Sequence, residues 1–272
     1  MIDLHTHLLP GVDDGAKDMD MALAMARMAV ADGISVMACT PHFYPGVYNS
    51  EGADILSRID ALQMRLDEEG IALDLAYGGD LRLEPDLIKR LKNGDALSLE
   101  GTRYALIEPA HTLFTKGMER VFADFLAAGI HPILTHPERM AWIEQRSDAI
   151  DRLCQSGVWM QITAGAVTGR FGRRAAYWAE RLICEGKSHI LATDAHDPVR
   201  RPPLMREAYE IVADWVGDTE ALNMVRHRPQ LVLDNGPPDA IPFHPDVENR
   251  NTPSPPSLWR RVKSFINSPD QH

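Results

Sequence analysis

Seven short apolar runs, alternating with amphipathic stretches that stop at or near a glycine, constrain the fold of this chain more than any other feature. The runs fall at Ile2–Leu4, Ile34–Cys39, Ala72–Tyr77, Tyr104–Ile107, Ile130–Leu134, Val158–Ile162 and Ile190–Ala192. Helical periodicity occupies Met19–Ala31 before Gly33, Ala53–Glu69 before Gly70, Pro85–Lys92 before Gly94, Lys116–Ala128 before Gly129, Arg139–Gln155 before Gly157 and Arg173–Glu185 before Gly186. Strands that alternate with helices pair in parallel, because each helix returns the chain to the same end of the sheet. The expected fold is therefore α/β, with the sheet curled into a distorted seven-stranded barrel, one unit short of eight and irregular or incompletely closed. Helical segments at Leu204–Val216 and Thr219–Arg226 complete the outer layer.

Parallel pairing gathers the carboxyl ends of all strands on one face, where active sites collect. The residues at those ends are of one chemical kind: His5, His7, Asp14, His42, Asp80, Glu108, His136, Asp194 and His196. Positions i and i+2 of a strand point the same way, so His5 and His7 can offer two imidazoles to one ion, and the same spacing joins Asp194 to His196. A carboxylate such as Glu108 has two oxygens and can bridge ions about 3.5–4 Å apart. Imidazole and carboxylate donors without thiolate suit manganese, iron or zinc. A lone histidine is more often a surface or core residue than a ligand, and His111, His131, His189, His227 and His244 are read that way. Asp13 is read as a turn residue or a support for a neighbouring ligand.

Composition narrows the substrate. With 39 acidic against 28 basic residues and a formal charge of −11, the chain lacks the cationic surface that gathers nucleic acid. Bound divalent cations would reverse that field locally, which keeps a small or peptide-borne phosphate admissible. The three cysteines are odd in number and widely spaced, against a disulfide framework. None is followed six positions later by arginine, so the Cys-x5-Arg loop of cysteine-dependent phosphatases is missing. No apolar stretch is long enough to span a membrane and no signal segment precedes Ile2, so a cytoplasmic location is expected. Residues 1–235 read as the folded unit, and 236–272 as a proline-rich linker and tail. Within that tail, Ser257–Ile266 reads as a short basic amphipathic helix, either a plain tail or a docking element for a partner or an acidic membrane surface.

His5-x-His7, Asp14, His42, an acid at 80, Glu108, His136 and Asp194-x-His196, in that order, resemble the polymerase-and-histidinol-phosphatase (PHP) superfamily. More narrowly, Met1–His7, Val12–Gly15, Thr135–Arg139 and Asp194–His196 resemble the manganese-dependent bacterial tyrosine-protein phosphatases of capsule and exopolysaccharide systems, across roughly residues 1–235. The resemblance implies a PHP-type barrel holding two or three Mn2+ ions: His5, His7, Glu108 and Asp194 around one, Asp80, Glu108 and His136 around a second, and Asp14, His42 and His196 around a third. Asp80 departs from the family, which commonly has glutamate there. The resemblance also implies hydrolysis of phosphotyrosine by metal-activated water, with a bacterial tyrosine kinase as substrate. It favours Arg139, three residues after His136, as a phosphate-gripping guanidinium on a helix over the metal face; Arg200 and Arg201 are candidates for the same work. The competing functions are a small-metabolite phosphatase such as one for histidinol phosphate, a nuclease-type domain, and a metal-binding module without turnover.

Overall fold

A computed structural model describes residues 1–48 and 51–243. Among these, every one of the seven foreseen runs forms a strand: β1 (Ile2–Thr6), β2 (Val36–Cys39), β4 (Asp74–Tyr77), β6 (Tyr104–Glu108), β7 (His131–Thr135), β8 (Trp159–Thr163) and β9 (Ile190–Ala192). Two further short strands, β3 (His42–Phe43) and β5 (Asp80–Arg82), were not foreseen. The helices are α1 (Met19–Asp32), α2 (Gly52–Glu68), α3 (Leu87–Asn93), α4 (Met118–Ala127), α5 (Ser147–Gln155), α6 (Ala164–Val167), α7 (Gly172–Cys184), α8 (Arg206–Val216), α9 (Asp218–Leu222) and α10 (Arg228–Leu233). No helix among the described residues is long and apolar enough to cross a membrane.

The strands are parallel throughout, but they form a three-stranded sheet, β1-β2-β4, and a six-stranded sheet, β3-β5-β6-β7-β8-β9, rather than one closed seven-stranded barrel. The reason is local. Pro41 has no N–H to give to a ladder and interrupts the run that begins at β2, while Gly78 and Gly79 interrupt the one that begins at β4. The chain beyond each break, β3 and β5, pairs into the second sheet, His42 opposite Asp80. At the other edge the sheets meet where Asp194 N–H donates to His5 O and His7 N–H to Ala195 O, both at 2.8 Å.

Seven strands share one small buried core, built from Ile2, Leu4, Ala38, Ala76, Tyr104, Leu106, Ile133, Trp159 and Ile190 and closed by Leu231 and Val232 of α10. Their opposite faces pack a larger core against the helices, including Phe122 and Phe125 of α4, both fully buried. Burying such a side chain contributes about 1.5–3 kcal/mol. β1 shifts register between Asp3 and Thr6, one residue more than β2 carries opposite it. That bulge lets the strand place Leu4 in the small core and still aim His5 at the mouth, a common use of bulges beside functional sites.

The helix expected over Arg139–Gln155 is broken. Pro137–Arg139 makes a single 3-10 turn and α5 starts only at Ser147. Of the residues between, Met140, Trp142 and Ile143 are buried without being helical, and the stretch is tied to the loop after β6: Trp142 Nε1–H donates to Ala110 O at 3.0 Å and Ala141 N–H to His111 O at 2.9 Å. Their apolar spacing therefore braces the loop after β6. Thr219–Arg226 is likewise split between α9 and a π-helical stretch at Asn223–His227. The tail helix expected at Ser257–Ile266, like His244, lies outside the described residues.

The C-terminal elements hang on one buried ion pair. Arg228, with no exposed surface, gives Nη1 to Glu220 Oε1 at 2.7 Å and its other donors to the carbonyls of His189, Ile241 and Pro242. Arg228→Met removes the cation that neutralises the buried Glu220 carboxylate and should cost about 3–5 kcal/mol in urea unfolding. The double change Glu220→Leu, Arg228→Met should recover a large part of that. A single-variant loss no larger than that of a surface substitution would contradict this role.

Candidate metal centre

All nine residues singled out at strand ends reach one mouth. His5 lies in β1 with His7 just beyond it, Asp14 in the following loop, His42 in β3, Asp80 opening β5, Glu108 closing β6, His136 after β7, and Asp194 and His196 after β9. Four groups have ligand atoms all within 4.8 Å of one another: His7, Asp14, His42 and His196; His5, His7 and Asp80; Glu108, His111 and His136; His42, Asp80 and Glu108. Backbone strain marks the same place. Among the described residues four non-glycine residues have left-handed φ, and two of them are His136 and Asp194. Such conformations persist where the surroundings over-determine them, often at functional sites.

Three imidazoles are anchored through Nδ1. That of His5 donates to Gln161 Oε1 at 2.9 Å, that of His7 to Asp13 Oδ2 at 2.7 Å, and that of His196 to Asp194 O at 3.1 Å. Each acceptor engages Nδ1 and leaves Nε2 as the ring nitrogen that faces the mouth, and these Nε2 atoms are buried without a hydrogen-bond partner. Both Asp80 oxygens and Glu108 Oε2 are buried and unbonded in the same way. Orphaned buried acceptors are costly in a fold. An imidazole whose far nitrogen is tied to an oxygen acceptor is how proteins present histidine to a metal. The donor set, imidazole and carboxylate oxygen without sulfur, fits a divalent first-row cation.

The electrostatics point the same way. Burial would neutralise His5 and His42, but Asp194 and Asp80 around the first, and Asp14, Asp80 and Glu108 around the second, raise them to about 9 and about 11. Burial would also raise Glu108, yet His111 and His136 hold it well below the usual carboxylate range. Burial and the nearby Arg139 push His136 down to about 4, which keeps it neutral and able to donate a lone pair. A carboxylate field that draws protons onto imidazoles is a field that draws cations.

The arginines divide. Arg139 Nη1 and Arg201 Nη2 both bond Asp194 Oδ2, the latter at 2.5 Å, and both guanidinium groups lie over the Phe171 ring, at 4.4 and 5.9 Å from its centroid. Arg200 is exposed, and its backbone N–H rather than its guanidinium is engaged, with Asp197 at 2.6 Å. Arg139 sits on a 3-10 turn and not on the expected helix. Sequence reasoning missed His111, whose Nε2 meets Glu108 Oε1 at 2.7 Å. It follows no strand directly, so nothing in the strand-end pattern marks it. Gln161 was missed too, although a polar residue inside the apolar run of β8 was a usable signal. Asp80 groups with Glu108, as the resemblance implied, and also with His42 at 3.0 Å and His5 at 3.7 Å, while His136 groups with Glu108 and His111.

A family profile described as capsular polysaccharide synthesis, CpsB/CapC, matches residues 1–234. The tyrosine-protein phosphatase YwqE of Bacillus subtilis (strain 168) is 34% identical over 235 residues, 86% of this chain and 92% of that protein. A crystal structure from work on YwqE of Bacillus subtilis and CpsB of Streptococcus pneumoniae, described as metal-dependent tyrosine phosphatases, superposes with TM-score 0.84 at 33% identity, covering 87% of this chain and 96% of that one. The histidinol phosphate phosphatase of Lactococcus lactis shares the fold alone, at TM-score 0.51 and 11% identity over 82% and 95% of the two chains.

Two outcomes test the geometry. Gly15 lies under His7, and a Cβ there would stand 2.1 Å from His7 O. Gly15→Ala should therefore lower bound divalent metal, read by elemental analysis, with far-ultraviolet dichroism unchanged; full metal content would contradict this role of Gly15. Adding manganese to chelator-stripped protein should raise Tm, since a ligand at 100 times its Kd stabilises by about 2.7 kcal/mol. A Tm indifferent to both metal and chelator would remove the site.

Proposed function

The chain belongs to the CpsB/CapC family of capsular polysaccharide synthesis, and from that premise we propose that it is a metal-dependent phosphatase that hydrolyses phosphotyrosine on a bacterial tyrosine kinase governing capsule or exopolysaccharide synthesis. The observation that carries the reading is the trio of anchored imidazoles, His5, His7 and His196, whose Nε2 atoms are buried without a hydrogen-bond partner in the mouth that also holds the unbonded oxygens of Asp80 and Glu108. Asp14, His42, His136 and Asp194 complete the set assigned to two or three ions, with manganese favoured over iron or zinc by the resemblance. His111 joins it through Glu108. The kinase and the cytoplasmic location come with the same reading.

Divalent cations, when bound there, supply neutralisation of the phosphoryl oxygens and activation of a water nucleophile. The chain supplies the rest. Asp13, Gln161 and the Asp194 carbonyl orient the imidazoles. Arg139 and Arg201 now share one oxygen of Asp194, and their remaining donors suit the planar, bidentate grip of a phosphate. Burial would raise Asp194, but Arg201, His5 and Arg139 hold it ionised. Arg200, exposed at the rim, suits contact with an acidic peptide rather than with the transferred group. Phenolate, from a group of pKa about 10, leaves without a strong general acid.

The test is phosphate release by manganese-loaded protein from a phosphotyrosyl peptide and from histidinol phosphate, each with a chelator control. Chelator-sensitive turnover that prefers the peptide is the expected result; preference for histidinol phosphate would overturn the substrate. Arg139→Ala or Arg201→Ala should each lower kcat/KM about 10- to 100-fold, the size of a charge-assisted contact.

A further inference from the structure

Beside the imidazoles the chain after β3 folds back sharply. Tyr48 N–H donates to Tyr44 O at 2.8 Å and Tyr44 N–H returns to Tyr48 O at 3.2 Å, with Gly46 at φ 83° between them. The turn sets two aromatic rings against His42: Tyr44 with its centroid 4.7 Å away and Tyr48 at 5.5 Å, nearly parallel at 18°. The two rings are 6.3 Å apart and half-buried, so each keeps surface toward solvent. Arg82 lies over Tyr44 with Cζ 5.0 Å from its centroid, a cation–π contact that holds the ring in place. Neither tyrosine belongs to the two buried cores.

Their position relative to the arginines is informative. The His7 imidazole bridges the two sides of the mouth: its centroid is 4.5 Å from that of His42, and its Nε2 is 3.4 Å from Asp194 Oδ1, on the carboxylate whose other oxygen, Oδ2, takes Arg139 and Arg201. A phosphate gripped on the arginine side thus has its ester substituent within reach of an aromatic wall on the other. Aromatic rings attract another ring in offset-stacked or tilted arrangements at 4.5–7 Å, and an alkyl chain gains no such geometry.

We infer that Tyr44 and Tyr48 form the wall against which the aryl group of the phosphoester packs, and that they set the preference of this site for aryl over alkyl phosphates. The inference rests on the phosphatase reading above and names the part of the substrate that these residues recognise. They are substrate-positioning residues; they take no part in moving protons or phosphate.

The experiment uses the full manganese-loaded chain and its Tyr44→Ala, Tyr48→Ala, Tyr44→Phe and Tyr48→Phe variants, with metal content measured for each. Binding of phenylphosphonate and of methylphosphonate is measured by calorimetry, and kcat/KM for phenyl phosphate in parallel. Each alanine variant should lose about three- to tenfold in phenylphosphonate affinity, the scale of one aromatic pair. Methylphosphonate affinity and metal content should stay put, and the phenylalanine variants should bind like the parent. Equal losses for both phosphonates, or loss of metal, would overturn the wall and leave the tyrosines as a cover for His42. Unchanged phenylphosphonate affinity would overturn it as well. Phosphonate binding does not depend on turnover, so a parent protein that binds phenylphosphonate selectively but hydrolyses no aryl ester would sink the proposed function and not the aryl-binding wall.

Discussion

Burying Asp80, Glu108 and Asp194 together at the ends of parallel strands is the constraint on which the rest of this structure depends. A carboxylate taken out of water costs several kcal/mol even after relaxation, and like charges a few ångströms apart add to that. The fold answers with His5 and His42, charged by that very field, and with Arg139 and Arg201 on Asp194. The compensation stops short of complete, because both oxygens of Asp80 and one of Glu108 still accept nothing. A site arranged in this way has a standing demand for positive charge at its centre.

The scaffold is organised to hold that arrangement. Asp3, fully buried, takes Thr193 N–H at 3.0 Å, the Thr193 hydroxyl at 2.5 Å and His5 N–H at 3.3 Å, and so ties the strand that carries His5 and His7 to the one that leads into Asp194 and His196. Burial raises its carboxyl to about 6 against those bonds. Glu138 does similar work from the turn after His136, accepting Thr163 N–H at 3.0 Å from the end of β8. These acids face the frame and not the mouth, which leaves the centre to the candidate ligands. Relatives of the CpsB/CapC family share the overall path of the chain.

The strand-end acids and imidazoles were legible in the sequence because a parallel α/β fold translates "just after an apolar run" directly into "at the mouth". The same translation explains the failures. His111 follows Glu108 by three residues on a loop, and only the bracing contacts from Ala141 and Trp142 bring that loop to the centre. The apolar spacing that serves this bracing imitates a helix, so one misreading at Arg139–Gln155 and the missed histidine share a cause. Strands β3 and β5 escaped because two and three residues are too few for a period to show. Pro41, whose missing N–H breaks the ladder, was in plain view but its consequence, a second sheet, depends on long-range pairing with Asp80.

The central claim is that His5, His7 and His196 present Nε2 to divalent cations. Anomalous diffraction from crystals soaked in manganese measures it most directly. The account requires at least two peaks in the mouth, with those Nε2 atoms at coordination distance, about 2.0–2.3 Å, and Nδ1 still on Gln161, Asp13 and the Asp194 carbonyl. Peaks bonded through Nδ1, or none in the mouth at full occupancy elsewhere, would contradict it.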